Sequence, residues 1–375
     1  MSAPRRLALF LSILIVQFGV FEASLRTWGS SEAAPSFQGL FEGDPELGYR
    51  LKPHARTRFV TSEFAADIAV NGAGFRDDNE LGPKEPNERR ILILGDSIVL
   101  SVQVDFAKTF GALLERRLNE RTSTTRYRVI NGGVQGYGPV EEQLYFHKVV
   151  DLVKPDLVIA VVFVGNDAEE AFGSRAKLNR DGRSSPAAVS ESFVTRLRRL
   201  VRRSMVLQIV RTRILSATER FTTTLAPPEP PLQSYAANPA PRIGEGLTIS
   251  RSSLQDIAVT ASAAGARTGI VLMPARFQVD DADYGRLAAT VADSGGTLVR
   301  DAASDRFRSA LAPIGVPILD VLPDLRAALP GPDLFFQQTV HLTPRGHEIV
   351  AASLDRFVSG SGLMPGADSN ADRRR

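Results

Sequence analysis

Residues Arg89–Leu100 read RRILILGDSIVL, and this stretch decides the fold. Four apolar residues, Ile91-Leu92-Ile93-Leu94, follow one another without alternation, as in a strand buried on both faces of a parallel sheet. The run stops at Gly95-Asp96-Ser97, so a serine falls where the strand ends at its carboxyl side. Ligands and chemistry in open α/β sheets collect at that side. Three residues this common also make ordinary turns. Ser97 becomes a candidate nucleophile only through what the rest of the chain brings to it.

Working outward, Thr109 is placed to cap a helix carrying Phe110, Leu113, Leu114 and Leu118 at helical spacing. Arg128–Ile130 reads as a second strand, running into Asn131-Gly-Gly-Val-Gln-Gly-Tyr-Gly138, and Pro139 opens a helix to about Val153. Leu157–Val164 is a third, wholly apolar strand ending in Gly165-Asn166-Asp167. Strand, loop and helix in repeated succession predict a parallel sheet with helices on both faces. After residue 250 the pattern resumes, with a helix near Ser253–Ala264, a strand at Thr268–Met273, a helical region over about Tyr284–Leu311 and a fifth strand at Pro317–Val321. Thr343-Pro344 opens the last helix.

Four further regions flank or interrupt this core. Arg5 and Arg6 precede an apolar run from Leu7 to Phe21, which reads as a signal anchor over residues 1–34. The flanking arginines would hold the start in the cytoplasm and export the remainder. Ser31-Glu-Ala33 and Glu32-Ala-Ala34 offer cleavage sites for the alternative of secretion after signal removal. Residues 35–88, rich in turn formers, predict a small β extension with strands at Arg58–Val60 and Asp67–Val70 and a turn at Asn71–Gly74. An insertion at about 172–250 holds an arginine-rich helix, Phe193 to about Ile214, and a proline-rich connector, Ala226–Pro241. The arginine face fits a solvated surface or contact with anionic lipid or an acidic polymer. Residues 361–375 are polar and read as disordered.

The 375 residues contain no cysteine, which excludes disulfides, thiolate metal sites and cysteine chemistry. Four histidines leave little scope for a histidine-rich metal centre, and no cofactor or metal is expected. A formal net charge of +3 over this length gives no case for nucleic acid.

Ser97, the glycine loop, Asn166 and His341 all fall at strand ends or just before the last helix, so a doubly wound sheet gathers them on one edge. A serine hydroxyl needs a base, for which an imidazole titrating near neutrality is suited. The tetrahedral intermediate of acyl transfer needs donors for its oxyanion. The N–H groups of Ser97 and Gly136 and the Asn166 amide would supply three. Singly, each of these residues also has a bland structural reading.

Together, Gly95-Asp96-Ser97, Asn131–Gly136, Gly165-Asn166-Asp167 and His341-Leu-Thr-Pro-Arg-Gly-His347 resemble the SGNH (GDSL-type) hydrolase family over residues 90–357. Asn71-Gly-Ala-Gly-Phe-Arg76 looks like the extension of membrane-anchored bacterial members. The resemblance implies a flavodoxin-like three-layer α/β/α core over residues 89–360 with five parallel strands. It implies Ser97 as nucleophile, Gly136 and Asn166 as oxyanion donors with Ser97, and His341 as base, without a metal.

One departure stands out. The aspartate that the family places two or three residues before the histidine is replaced by Thr339 and Gln338. Gln338 and Asp333 are the candidates to orient the base instead. His347 reads as structural, and Asp96 and Asp167 as braces of their loops.

The expected function is a membrane-anchored, extracytoplasmic serine esterase or O-acyltransferase acting on acyl esters, chiefly acetyl, of carbohydrate or lipid. Proteins of a surface-polysaccharide system are its expected partners. The rival is a catalytically weak or inactive glycan-binding or assembly component that keeps the fold. A phosphate-binding flavodoxin-like domain is disfavoured, because no Gly-x-Gly-x-x-Gly or Walker pattern follows the first strand.

Overall fold

A computed structural model describes residues 39–175, 232–331 and 333–364, with Arg5 and Gln17 besides. Phe37–Phe59, Glu63–Pro186 and Pro227–Arg375 cluster as one unit, so the β extension belongs with the core. Val60–Ser62 group instead with Met1–Ser36 and Ala187–Ala226, stretches almost wholly outside the described residues. The expected anchor and arginine-rich helix both lie outside them. Among the described residues, no helix is long and apolar enough to cross a membrane.

The extension forms two small sheets. β1 (Phe41–Asp44) pairs antiparallel with β2 (Gly48–Leu51), and β3 (Arg56–Val60) pairs with β4 (Ala65–Ala69). The first pair was not legible, because Pro45 and two glycines disguise it as loop. The turn at Asn71 is as expected: Gly74 N–H donates to Asn71 O at 3.0 Å, and the chain bridges Val70 to Arg76.

The core begins with β5 (Glu88–Gly95), followed by the short α1 (Ser97–Leu100) and α2 (Phe110–Glu120). Next come β6 (Arg126–Gly133), α3 (Pro139–Val153), β7 (Leu157–Phe163) and α4 (Asp167–Ser174). Past the insertion lie α5 (Pro241–Ala263), β8 (Arg267–Met273), α6 (Arg276–Val279), α7 (Asp281–Asp293) and α8 (Ala302–Leu311). β9 (Ile318–Asp320), α9 (Leu322–Ala327) and α10 (Pro344–Gly360) complete it.

The five core strands are parallel in the order β6-β5-β7-β8-β9, the flavodoxin-like arrangement expected from the sequence. All seven residues of β7 are buried, as an unbroken apolar run requires in a sheet covered on both sides. The chain steps from β5 to β6 in one direction and from β6 through β9 in the other. Right-handed crossovers therefore place α2 on one face and α3, α5 and α8 on the other. The packing agrees: α2 lies against α10, while α3, α4 and α8 lie against α5. Gly246 permits the close approach of α5 to α4, since a Cβ there would stand 1.8 Å from Ala168 O.

Three readings are corrected. The helical region Tyr284–Leu311 is two helices, because Gly295-Gly296 breaks it and Gly295 takes φ +77°. The helix expected from Ser253 begins at Pro241, with the proline at its first turn. The polar tail is tied down at its start, where Leu363 and Met364 are buried.

Candidate active site

Ser97 sits where β5 turns into α1, and it is buried. Asp96 caps α1, its Oδ1 accepting Ile98 N–H at 2.8 Å. The Asp96 carboxylate also draws on the N–H groups of Asp96 and Ser97 and on the Ser97 hydroxyl. Burial outweighs these bonds and pushes the Asp96 carboxyl up to about 6.

The glycine loop is stitched directly onto this turn. Val134 N–H donates to Gly95 O at 3.0 Å, and Asn131 Nδ2 donates to Val99 O at 2.7 Å. Gly133 allows the contact, since a Cβ there would stand 2.3 Å from Leu100 N. Gly136 is exposed and left-handed at φ +68°, a conformation that favours glycine.

Asn166 leads into α4 from the end of the neighbouring strand β7. Its Nδ2 donates to Glu170 Oε1 at 2.8 Å, whereas its Oδ1 is buried without a partner. Asp167 braces the strand end, its Oδ2 accepting Phe163 N–H at 2.9 Å. The structure thus brings the Ser97 turn and glycine loop into contact, with Asn166 on the adjacent strand.

His341 lies in a loop closed by a bridge between Phe335 and Leu342, and Phe336 N–H donates to His341 O at 2.9 Å. Both ring nitrogens are buried and have no hydrogen-bond partner. The imidazole therefore meets neither Ser97 Oγ nor either residue expected to steady it. Asp333 instead accepts Gln337 Nε2 at 3.1 Å, and its carbonyl takes the Thr343 hydroxyl at 2.6 Å. The Gln338 backbone is held elsewhere, its N–H donating to Glu63 Oε2 at 2.9 Å. Burial with no compensating acid holds the His341 imidazole down to about 4.

A base must be unprotonated to act, so activity is gained as pH rises through about 4. A pH profile of kcat/KM is expected to be flat from about pH 5 to neutrality. An acid limb between 6 and 7 would instead mean that a carboxylate reaches the ring in the free enzyme.

His347 is structural as expected. Its Nδ1 accepts Phe110 N–H at 3.2 Å, and its ring stacks on Phe110 with centroids 5.5 Å apart.

Two groups that secure the His341 loop were missed. Glu63 takes the N–H of Gln337 at 2.6 Å as well as that of Gln338, and Arg276 donates to Phe336 O at 3.0 Å and Gln337 O at 2.7 Å. Opposite charges thus hold opposite backbone groups of one loop. Neither belongs to a sequence pattern, and only folding brings them there.

A cavity of about 490 Å³ opens beside this loop, lined by Phe163, Gly165, Tyr235, Phe277, Gln338 and Val340 among others. It runs from the carboxyl end of β7 to Gln337, Gln338, Thr339 and Val340, the residues that precede His341. Arg276 and Arg286 both pair with Asp283 at its wall.

A sequence profile described as the GDSL-like Lipase/Acylhydrolase family matches residues 93–349, from within β5 to within α10. The chain belongs to this family. Membership supports an ester hydrolase, and the matched span holds Ser97, Gly136, Asn166 and His341. No curated protein sequence matches significantly. Among solved structures, the chain resembles TesA at 15% identity and TM-score 0.42, covering 74% of this chain and 100% of that one. A catalytic mutant of Axe2, an acetylxylan esterase from Geobacillus stearothermophilus, is 13% identical with TM-score 0.39 over 72% and 94% of the two chains. The lipase/acylhydrolase from Enterococcus faecalis is 15% identical with TM-score 0.38 over 72% and 96%.

Proposed function

We propose that this GDSL-like acylhydrolase is an extracytoplasmic serine esterase or O-acyltransferase acting on acyl, chiefly acetyl, esters of carbohydrate or lipid. The observation that carries the reading is the stitching of the glycine loop, which carries the left-handed Gly136, onto the turn that carries Ser97 at one sheet edge. Catalysis begins when the Ser97 hydroxyl and the His341 imidazole come within hydrogen-bond reach of each other. Oγ then attacks the ester carbonyl while the imidazole accepts its proton, and Gly136 N–H and the Asn166 amide receive the oxyanion. Collapse breaks the ester C–O bond, and the imidazolium returns the proton to the leaving alcohol. Water or an acceptor hydroxyl then resolves the acyl-enzyme by the reverse sequence.

The aromatic-walled cavity beside the His341 loop suits a sugar ring or a short acyl group. The basic-flanked apolar run Leu7–Phe21 supports export and anchorage at the membrane, within reach of surface glycan as substrate and of its assembly proteins as partners. A second reading, a glycan-binding component with little turnover, is favoured by the unsteadied imidazole. Labelling by a fluorophosphonate probe and turnover of aryl acetates and acetylated oligosaccharides test the choice. Saturable oligosaccharide binding, with labelling and turnover no greater than in Ser97→Ala, would establish the second reading and end the first.

A further inference from the structure

Glu170 lies one helical turn after Asn166 and between the two elements assigned to the oxyanion. Its Oε1 accepts Asn166 Nδ2 at 2.8 Å. On its other side it packs on the glycine loop: a Cβ on Gly138 would stand 3.0 Å from Glu170 Cβ and 3.4 Å from Oε2. Two acceptors here are buried with no donor, Glu170 Oε2 and Asn166 Oδ1. Buried polar atoms left unpaired are costly, and two orphan acceptors on one hydrogen-bonded pair of side chains call for a hydrogen.

One proton supplies the donor that Asn166 Oδ1 lacks. A neutral Glu170 carboxylic acid donates its O–H to Asn166 Oδ1 once the amide turns over, an exchange of near-isosteric O and NH₂. Both Asn166 N–H groups are then released from Glu170 and available to an oxyanion. With Glu170 ionised, the carboxylate instead recaptures Nδ2, as in the arrangement observed.

The surroundings favour the proton. The ionisable groups acting on Glu170 are Asp96 from the α1 cap, Glu141 and Glu142 from α3, Asp167 from α4 and Tyr49 from β2. All are acids, and both Glu142 carboxyl oxygens are themselves buried and unpaired. Burial first, then the charges of Asp96 and Glu141, push the Glu170 carboxyl up to about 8.

We propose that Glu170 is a positioning residue whose proton turns the Asn166 amide, and so decides whether one or both of its N–H groups can serve the oxyanion. The proposal rests on the serine-esterase reading for its catalytic consequence, but the proton and the amide can be observed without turnover. The kcat of the full chain on an aryl acetate is expected to fall about tenfold between pH 6.5 and pH 9. In Glu170→Gln the side-chain amide donates to Asn166 Oδ1 at every pH, so the ratio of the two rates should stay near one. Glu170→Leu, with no donor, should lower kcat by up to about 10² at both pH values and leave KM in place.

NMR of the Asn166 side-chain amide supplies the second readout. Its resonances should move with pH through about 8 in the wild type and stay fixed in Glu170→Gln. Amide resonances that ignore pH in the wild type overturn the proposal whatever the rates show. An alkaline fall that persists in Glu170→Gln overturns it while leaving the esterase reading intact. Absence of Ser97-dependent turnover with a titrating amide defeats the esterase reading alone.

Discussion

Ser97→Ala is expected to lower kcat on an aryl acetate by about 10²-fold and to abolish fluorophosphonate labelling. The figure follows from what surrounds the base. In serine proteases with a complete triad, loss of the serine or the histidine costs roughly 10⁶, and loss of the acid alone roughly 10⁴. Here neither Gln338 nor Asp333 bonds the His341 ring, so the wild-type chain starts without the contribution of an acid. What remains to lose is the quotient, about 10².

His341→Ala should cost about as much, and the double variant no more, because the two residues act as one unit. Rates and labelling unchanged in Ser97→Ala would defeat the nucleophile assignment. A loss near 10⁶ would instead show that substrate binding brings a carboxylate to His341 Nδ1.

Arg76→Leu is expected to destabilise the fold by about 3 kcal/mol or more, and to loosen the nucleophile turn with it. Arg76 is fully buried at the end of the Asn71–Arg76 stretch. Its Nη1 donates to Leu100 O at 2.5 Å and to Ser101 O, and its Nη2 donates to Val104 O at 2.5 Å. These carbonyls lie at the end of α1 and just beyond it, where Ser101 is held left-handed at φ +56°. That conformation is uncommon for a side chain other than glycine, so it persists only if its surroundings fix it.

Leucine fills part of the volume but leaves three carbonyls without their charged donor. Lysine cannot reproduce the planar fork, and Arg76→Lys should recover only part of the loss. Urea unfolding measures the stability, and the rate of fluorophosphonate labelling reports the turn. A change below about 0.5 kcal/mol, the usual scale of a surface substitution, would show that the extension does not hold the site.

The same contact explains why the extension was only partly legible. Asn71–Gly74 announces a turn by composition, but nothing local says that Arg76 turns inward to cap a loop some twenty-five positions later. Buried arginines are rare, and the sequence pattern that marks a core is apolar.

Unbroken apolar runs identified the central strands, and Thr109 and Thr343 marked helix starts that the structure retains: each hydroxyl accepts an N–H of its first turn at 3.3 Å. Over Tyr284–Leu311 the helical period is right, and Gly295-Gly296 divides it into two helices.

Local pattern by itself determined the parallel sheet, its strand-end loops and the placement of Ser97, Gly136, Asn166 and His341 at the ends of elements. These features depend on burial period and turn chemistry within about a dozen residues, and such signals are written along the chain. Tertiary structure alone decided that Glu63 and Arg276 grip the His341 loop, that Glu170 holds Asn166, and that no acid meets the imidazole. Most of these contacts join residues far apart in sequence. Even for Glu170 and Asn166, one turn apart, the protonation that governs their pairing depends on carboxyls gathered from the α1 cap and α3. Side-chain hydrogen bonds and burial act through space, with no repeat along the chain to announce them.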